Sequence, residues 1–339
     1  MCGIIGIIGK NNGKVETEKI DGMLETLSHR GPDDKGILKF QNCTLGQTRL
    51  SIIDLSSGHQ PMKDNKKNIA ITFNGEIYNY KELKEELENK GYIFSTNSDT
   101  EVILKAYQEY GTDCVNHLDG MFAFAIWDED KKNLFLARDR FGKKPLYYCH
   151  DGYGNLVVAS EIKAIFALGI KGELNLEAID NYLTLMYIPP HKTAYKNIFT
   201  LKPAEYAIYK NGELLKKTYW ELRKNRININ YDEAKEEIRR LFGEAVKKRM
   251  VADVEIGSFL SGGVDSTMVS VYAQKFINRP LKTFSLGYGN HINELPYAKK
   301  ASQKIGSEHY TLQANEDSLP EFFESISYFD EPHADSSDF

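Results

Sequence analysis

Hydrophobic and polar positions change their period twice along this chain of 339 residues. The first half reads as short strands interrupted by a few helices. Residues 3–9 form a brief apolar run, the pattern of a buried strand weakened by glycine. Residues 80–90 are apolar at Tyr80, Leu83 and Leu87, charged elsewhere, and stop at Gly91, which predicts an amphipathic helix. A second helix is expected after Ser98-Asp99, turning Ile103, Ala106, Tyr107 and Tyr110 inward before Gly111. Residues 121–127, 133–137, 145–149 and 155–159 then read as four strands separated by charge and glycine.

Near Leu183 the texture changes. Ile188-Pro189-Pro190 cannot continue a helix, and residues up to 226 look like hairpins and a polar linker. Residues 232–249 return to a helical period, with Ile238, Leu241, Phe242, Ala245 and Val246 on one face. Strands are expected at 254–260, 283–286 and 309–312, with helices at 265–277 and 296–305 between them. That βαβαβ order implies a parallel sheet with ligands at the carboxyl ends of its strands. The expected organisation is therefore α+β over residues 1–190, a linker with hairpins at 191–230, and α/β over 231–339. No internal repeat is visible.

Composition narrows the class. Apolar residues make up 41% and charged residues 27%, an ordinary globular balance, and the net charge of −5 advertises neither nucleic acid nor an anionic membrane. The 4 cysteines include no C-x-x-C pair, so neither a structural zinc site nor a dense disulfide frame is expected, and no metal ligand is assigned. Apolar runs are too short to cross a bilayer, and the N-terminus lacks the basic segment and long apolar core of a signal peptide. The expected compartment is the cytoplasm, with free thiols.

Chemistry enters at Cys2. Removal of Met1 would leave a cysteine whose own α-amine, with a reference pKa of about 8, can take the thiol proton. By itself Cys2 is more simply a tolerated residue. An amine-activated thiol also needs oxyanion donors and charges to hold a substrate. Asn74-Gly75-Glu76 offers an amide, an approachable main-chain N–H and a carboxylate, although Asn-Gly is also a common hairpin turn. Arg49, at the edge of an apolar strand expected over Leu50-Ser51-Ile52-Ile53, could clamp a carboxylate or form a surface ion pair with Asp54. Asp99 opens a helix, either as an N-cap or as a counter-ion for an ammonium group.

Together these runs are specific. Cys2-Gly3-Ile4, His29-Arg30-Gly31-Pro32-Asp33, Arg49 to Asp54, Phe73 to Asn79, Ser98-Asp99 and Ala137 to Gly142 resemble the class II glutamine amidotransferases, the N-terminal-nucleophile glutaminases. Gly142-Lys143-Lys144-Pro145-Leu146-Tyr147-Tyr148 and Ser160-Glu161-Ile162-Lys163-Ala164 make the chain similar to their glutamine-hydrolysing asparagine synthetase branch. Leu260-Ser261-Gly262-Gly263-Val264-Asp265-Ser266 resembles the pyrophosphate loop of ATP pyrophosphatases, where small residues and a helix N-terminus face an anion. Phe329 to Ser337 matches as well.

The resemblance implies an αββα N-terminal-nucleophile hydrolase fold, followed by the start of a parallel-sheet ATP-pyrophosphatase domain. It implies that Cys2 attacks the glutamine amide, that Asn74 and Gly75 stabilise the oxyanion, and that Arg49 holds the substrate carboxylate. Asp99 and Glu76 would hold its ammonium, with Leu50 and Ile52 contributing through their backbone. ATP would meet Leu260, Ser261, Gly262, Gly263, Asp265 and Ser266, with Leu286 near adenine. The implied reaction is that of a carbon–nitrogen ligase: ammonia from glutamine amidates β-aspartyl-AMP, giving asparagine, AMP and pyrophosphate. The implied substrates are glutamine, aspartate and ATP with its Mg²⁺. No tightly bound organic cofactor, nucleic acid or membrane partner is expected, and a homodimer is left open. The family continues beyond the equivalent of Phe339, so the chain as given is expected to act as a glutaminase only. Amidation of another carboxylate by a member of the same family, and a non-catalytic regulatory or interaction module, are the alternative readings. Beta-lactam-forming relatives lack the cysteine.

Overall fold

The computed structural model describes residues 1–10, 19–288, 293–314 and 326–333. Ala334-Asp335-Ser336-Ser337, the end of the last motif, lies outside them. Two compact units form: Met1–Arg223 together with residues 329–333, and Lys224–Tyr328.

The first unit begins with β1 (Gly3–Ile8), α1 (Ile20–Glu25), β2 (Asp34–Lys39), β3 (Cys43–Arg49), β4 (Met62–Asp64), β5 (Ile69–Ile77), α2 (Tyr80–Asn89), α3 (Asp99–Tyr110) and α4 (Cys114–His117). It continues with β6 (Gly120–Asp128), β7 (Asn133–Arg138), β8 (Tyr147–His150), β9 (Leu156–Ala159), α5 (Ile162–Ala167), α6 (Leu176–Leu185), β10 (Ile198–Thr200), β11 (Glu205–Lys210) and β12 (Glu213–Thr218). One sheet has the order β10-β8-β9-β1-β3-β2 and the other β12-β11-β7-β6-β5-β4, both antiparallel.

The isoleucines of β1 explain the layering. Ile4 and Ile8 face a core shared with Ala123, Ala125 and Trp127 of the second sheet. Ile5 and Ile7 face a different core, with Met23 and Leu24 of α1 and Ile165 of α5. Alternate side chains point to opposite faces, so a strand buried on both sides is apolar throughout. On the outer face of the second sheet, Tyr107 of α3 stacks on Phe135 of β7 with centroids 5.5 Å apart. The result is helix, sheet, sheet, helix, the αββα order that the resemblance implies.

Local pattern and structure part company in several places. The apolar run after Arg49 is a loop, because β1 and β2 end opposite Thr48 and Arg49 and leave no strand to pair with. Asn74-Gly75 lies inside β5 and is not a hairpin turn. Tyr110 is only half-buried and stacks on His117 at 3.9 Å. The segment read as linker hairpins supplies β10 to the first sheet and β11–β12 to the second, so the first unit extends to Arg223. α6, within the stretch where the pattern shows no clear element, has Ala178 as its only buried residue.

In the second unit, α7 (Tyr231–Lys248) precedes β13 (Gly257–Phe259), α8 (Val264–Lys275), β14 (Lys282–Tyr288), α9 (Leu295–Ile305) and β15 (Glu308–Ala314). β13, β14 and β15 pair in parallel, as the βαβαβ pattern predicts. Asn230 and Glu233 form a reciprocal capping box at the start of α7. Of the apolar face expected on α7, Phe242 and Val246 pack against Tyr272 and Leu281, whereas Ile238, Leu241 and Ala245 are exposed.

Candidate active site

Strand register brings the site together. Gly3 pairs with Thr48, so Cys2, just before β1, comes beside Arg49 at the end of β3. From the second sheet, Thr72 donates its hydroxyl to Gly46 O at 3.0 Å and Gln47 Oε1 at 2.8 Å. Side chains two residues apart on a strand share a face, so Asn74 also projects between the sheets. All eight residues expected to act on glutamine line one cavity: Cys2, Arg49, Leu50, Ile52, Asn74, Gly75, Glu76 and Asp99.

Asn74 is fully buried, yet neither its Oδ1 nor its Nδ2 has a hydrogen-bond partner among the described residues. An unpaired buried amide costs about 1–3 kcal/mol, and a ligand oxygen accepting from Nδ2 would relieve that cost. The neighbouring main chain is aimed the same way. Phe122, opposite Gly75, donates its N–H to Asp139 Oδ2 (3.2 Å), and its carbonyl accepts from Asp139 N–H (2.8 Å). Both groups therefore face away from β5, and Gly75–Phe122 is a non-hydrogen-bonded pair. Gly75 N–H consequently points off the other side of β5, where β4 pairs only with Ile69 to Ile71. On that side, Phe73 N–H donates to Gln60 Oε1 at 2.9 Å and Ile77 N–H donates to Asp99 Oδ2 at 3.1 Å. Gly75 N–H lies between them, at the cavity. A Cβ on Gly75 would stand 2.1 Å from Met121 O, so close sheet packing independently requires glycine there.

The charged groups are buried with purpose. Ser98, not Asp99, caps α3, with its Oγ accepting from Thr100 N–H at 3.2 Å. Asp99 is thus free of the capping role and faces Ile77 and the cavity. Burial pushes its carboxyl up to about 7, opposed by the Ile77 N–H and reinforced by Glu76. Burial also raises Glu76, while Lys144 pulls it down. Arg49 is buried, and its Nη2 donates to Ile53 O at 2.9 Å and Asp54 O at 2.7 Å, which leaves it fixed at the cavity wall.

Cys2 Sγ–H donates to Leu50 O at 3.7 Å; burial raises the thiol, and this contact opposes the rise. The terminal amine of the chain as given is carried by Met1, and burial lowers it. Sequence reasoning gave no role to the residues that hold this terminus. Arg30 Nε donates to Cys2 O at 2.9 Å and its Nη1 to Glu161 Oε1 at 2.6 Å. Ile4 N–H donates to Ser160 Oγ at 3.0 Å. Lys144 lines the cavity, and its backbone is fixed by the Lys144 N–H donating to Asp139 Oδ2 at 3.0 Å. Arg30, Glu161 and Lys144 stood within the quoted motif runs, but only the tertiary structure shows them buried at the site. Gln60 had no sequence signal.

The expected ATP residues lie in the second unit. Leu260 to Gly263 joins β13 to α8, whose first turn holds Val264, Asp265 and Ser266; Gly262 has φ +86° and a hypothetical Cβ there would stand only 2.5 Å from Ala298 N. Ser261 and Ser266 hydroxyls meet at 2.9 Å, and Gly263 N–H donates to Ser261 Oγ at 3.3 Å. The first N–H groups of α8 have no intrahelical acceptor, so the loop fits a phosphate group. Leu286 lies on β14 opposite Leu312 and is exposed.

Fold and site define a class II, N-terminal-nucleophile type of glutamine amidotransferase. Residues 1–220 match the family model described as a glutamine amidotransferase domain, and residues 237–339 match the asparagine synthase model. A Methanocaldococcus jannaschii protein that carries a glutamine-hydrolysing asparagine synthetase name is 39% identical, over 100% of this chain and 70% of its own. Asparagine synthetase 1 of Bacillus subtilis is 36% identical, over 99% of this chain and 54% of its own. The chain belongs to the glutamine-hydrolysing asparagine synthetase family. It spans little more than half the length of several of these relatives. The solved structure of glutamine phosphoribosylpyrophosphate amidotransferase from B. subtilis shares the fold, with a TM-score of 0.50 and 18% identity over 92% of this chain and 81% of that one.

Proposed function

We propose that this cavity hydrolyses the side-chain amide of glutamine through Cys2 as an N-terminal nucleophile. Once Met1 is removed, the Cys2 amine takes the thiol proton and Sγ attacks the amide carbon. The carbonyl oxygen becomes an oxyanion between Asn74 Nδ2 and Gly75 N–H. The amine returns the proton to the departing nitrogen, ammonia leaves, and a γ-glutamyl thioester remains. Water, deprotonated by the same amine, attacks the thioester carbon, the C–S bond breaks, the amine returns the proton to Cys2 Sγ, and glutamate leaves. Arg49 holds the substrate carboxylate, Asp99 and Glu76 its ammonium, and Leu50 and Ile52 contribute main-chain contacts. The buried, unpartnered Asn74 amide carries this reading, because it is a donor prepared for an oxygen the protein itself does not supply. A Cys2→Ala protein that folds normally but releases no glutamate from glutamine is the expected result; undiminished release would refute the assignment.

For the second unit we propose binding of ATP, with its Mg²⁺, at Ser261 to Ser266, and transfer of the ammonia to aspartate activated as β-aspartyl-AMP. The family relationship and the anion-facing loop support this reading. Product analysis with aspartate set against other carboxylates tests both readings: glutamate and ammonia without AMP are expected from the 339-residue chain, whereas asparagine with AMP would show that it completes the synthetase reaction by itself.

A further inference from the structure

Phe329 to His333 follows the second unit in sequence and falls within the asparagine synthase match, yet it is part of the first compact unit. Asp330 Oδ2 accepts from Ile162 N–H at 2.5 Å, and its Oδ1 stands 3.3 Å from Lys163 Nζ. Lys163 Nζ also donates to Glu161 Oε2 at 2.8 Å. Glu161 Oε1 accepts from Arg30 Nη1 at 2.6 Å, His29 Nε2 stands 3.1 Å from Glu161 Oε2, and Arg30 Nε donates to Cys2 O at 2.9 Å. The side chains form an unbroken polar chain from Asp330 to the main chain of the nucleophile.

We propose that Asp330 is a positioning residue for Cys2, acting through Lys163, Glu161 and Arg30; the inference rests on Cys2 being the nucleophile. Every link is charged and at least partly buried, so neighbouring links constrain one another strongly. Burial by itself would raise Glu161, but Lys163 and Arg30 hold its carboxyl below the ordinary range, so it stays an anion between two cations. Without Asp330, Lys163 loses an anionic anchor that holds its ammonium in place, and the Glu161 fork loses its fixed geometry. Arg30 would then hold the Cys2 carbonyl less firmly, and the amine and thiol carried by that residue would sample more orientations. The second anchor of the segment is separate: Glu331 Oε1 accepts from Ala194 N–H at 2.7 Å and Oε2 from the Tyr147 hydroxyl at 3.3 Å.

The test compares Asp330→Asn, Lys163→Met, their double variant and Glu331→Gln with wild type. Asp330→Asn keeps an acceptor for Ile162 N–H, so thermal melting should change little. Its kcat for glutamine hydrolysis should fall roughly tenfold with KM nearly unchanged, as loss of reactive geometry requires. Lys163→Met should do the same, and the double variant should be no worse than either single one, because both cut the same chain. Glu331→Gln should leave kcat as it is. Iodoacetamide alkylation of Cys2, read by mass on the N-terminal peptide, should slow in parallel. Unchanged kcat and alkylation in Asp330→Asn, or effects that multiply in the double variant, would overturn the proposal. A wild-type protein whose Cys2 alkylation responds to Asp330→Asn but which hydrolyses no glutamine would refute the glutamine reading and leave the positioning role standing.

Discussion

The carboxylate of Asp99 accepts the main-chain N–H of Ile77 at 3.1 Å, tying the first turn of α3 to the strand that carries Asn74, Gly75 and Glu76. One side chain thus sets both the orientation of that strand's end and the charge at the cavity wall.

This placement gives the site a pH dependence. Burial pushes Asp99 up to about 7, and only its ionised form pairs with a substrate ammonium. In wild type, kcat/KM for glutamine should fall as pH drops below about 7, reaching roughly a tenth of its plateau by pH 6. Asp99→Asn should lower the plateau and remove the share of this limb that Asp99 sets, leaving only the limb of the Cys2 amine. A wild-type profile that stays flat down to pH 5 would contradict the role of Asp99.

The same shift acts on stability with a definite sign. Because the folded-state pKa lies above the unfolded one, the folded protein binds more protons between about 4 and 7, and stability falls as pH rises through that window. Asp99→Asn should therefore gain melting temperature relative to wild type at pH 8 and lose that advantage near pH 4. Melting curves at the two pH values decide it.

Arg49 and Asn74 should separate binding from chemistry. Arg49→Ala should raise KM at least about tenfold, equivalent to ~1.4 kcal/mol, because the substrate carboxylate is remote from the reacting amide. It should also lower thermal stability, since the guanidinium holds Ile53 O and Asp54 O. Asn74→Ala should reduce kcat about 10²-fold. It should cost little stability, because the free protein makes no hydrogen bond to that amide. Steady-state kinetics beside melting curves would expose a reversed pattern.

Two glycines should fail structurally. Gly75→Ala would place a Cβ 2.1 Å from Met121 O and force β5 away from β6, costing at least about 1–3 kcal/mol by analogy with overpacked cores. Soluble yield should collapse. Gly262→Ala combines a left-handed φ of +86° with a contact to Ala298 N at 2.5 Å. Amide-exchange protection should fall in Val264–Lys275 and Leu295–Ile305 while β1 and β3 stay protected.

Much of the fold was legible locally. α2, α3, α7 and α9 announced themselves by apolar period, capping residues or terminal glycines, and the βαβαβ rhythm placed α8 and gave the parallel sheet, because these signals depend on residues a few positions apart. The motif runs around Cys2, Asn74 and Ser261 likewise named the residues of both candidate sites. What sequence could not decide were relations set by distant neighbours. The run after Arg49 is apolar but has no strand beside it, and the segment 198–218 looked like a linker until two sheets gave it partners. Whether Asn74-Gly75 turns a hairpin or faces a cavity depends on the pairing of β5 with β6. Whether Ser98 or Asp99 caps α3 decides whether the Asp99 carboxylate is left for a ligand. Arg30, Glu161 and Asp330 are ordinary charged residues in the sequence; only the fold buries them together, and charge has consequences for function mainly where water no longer screens it.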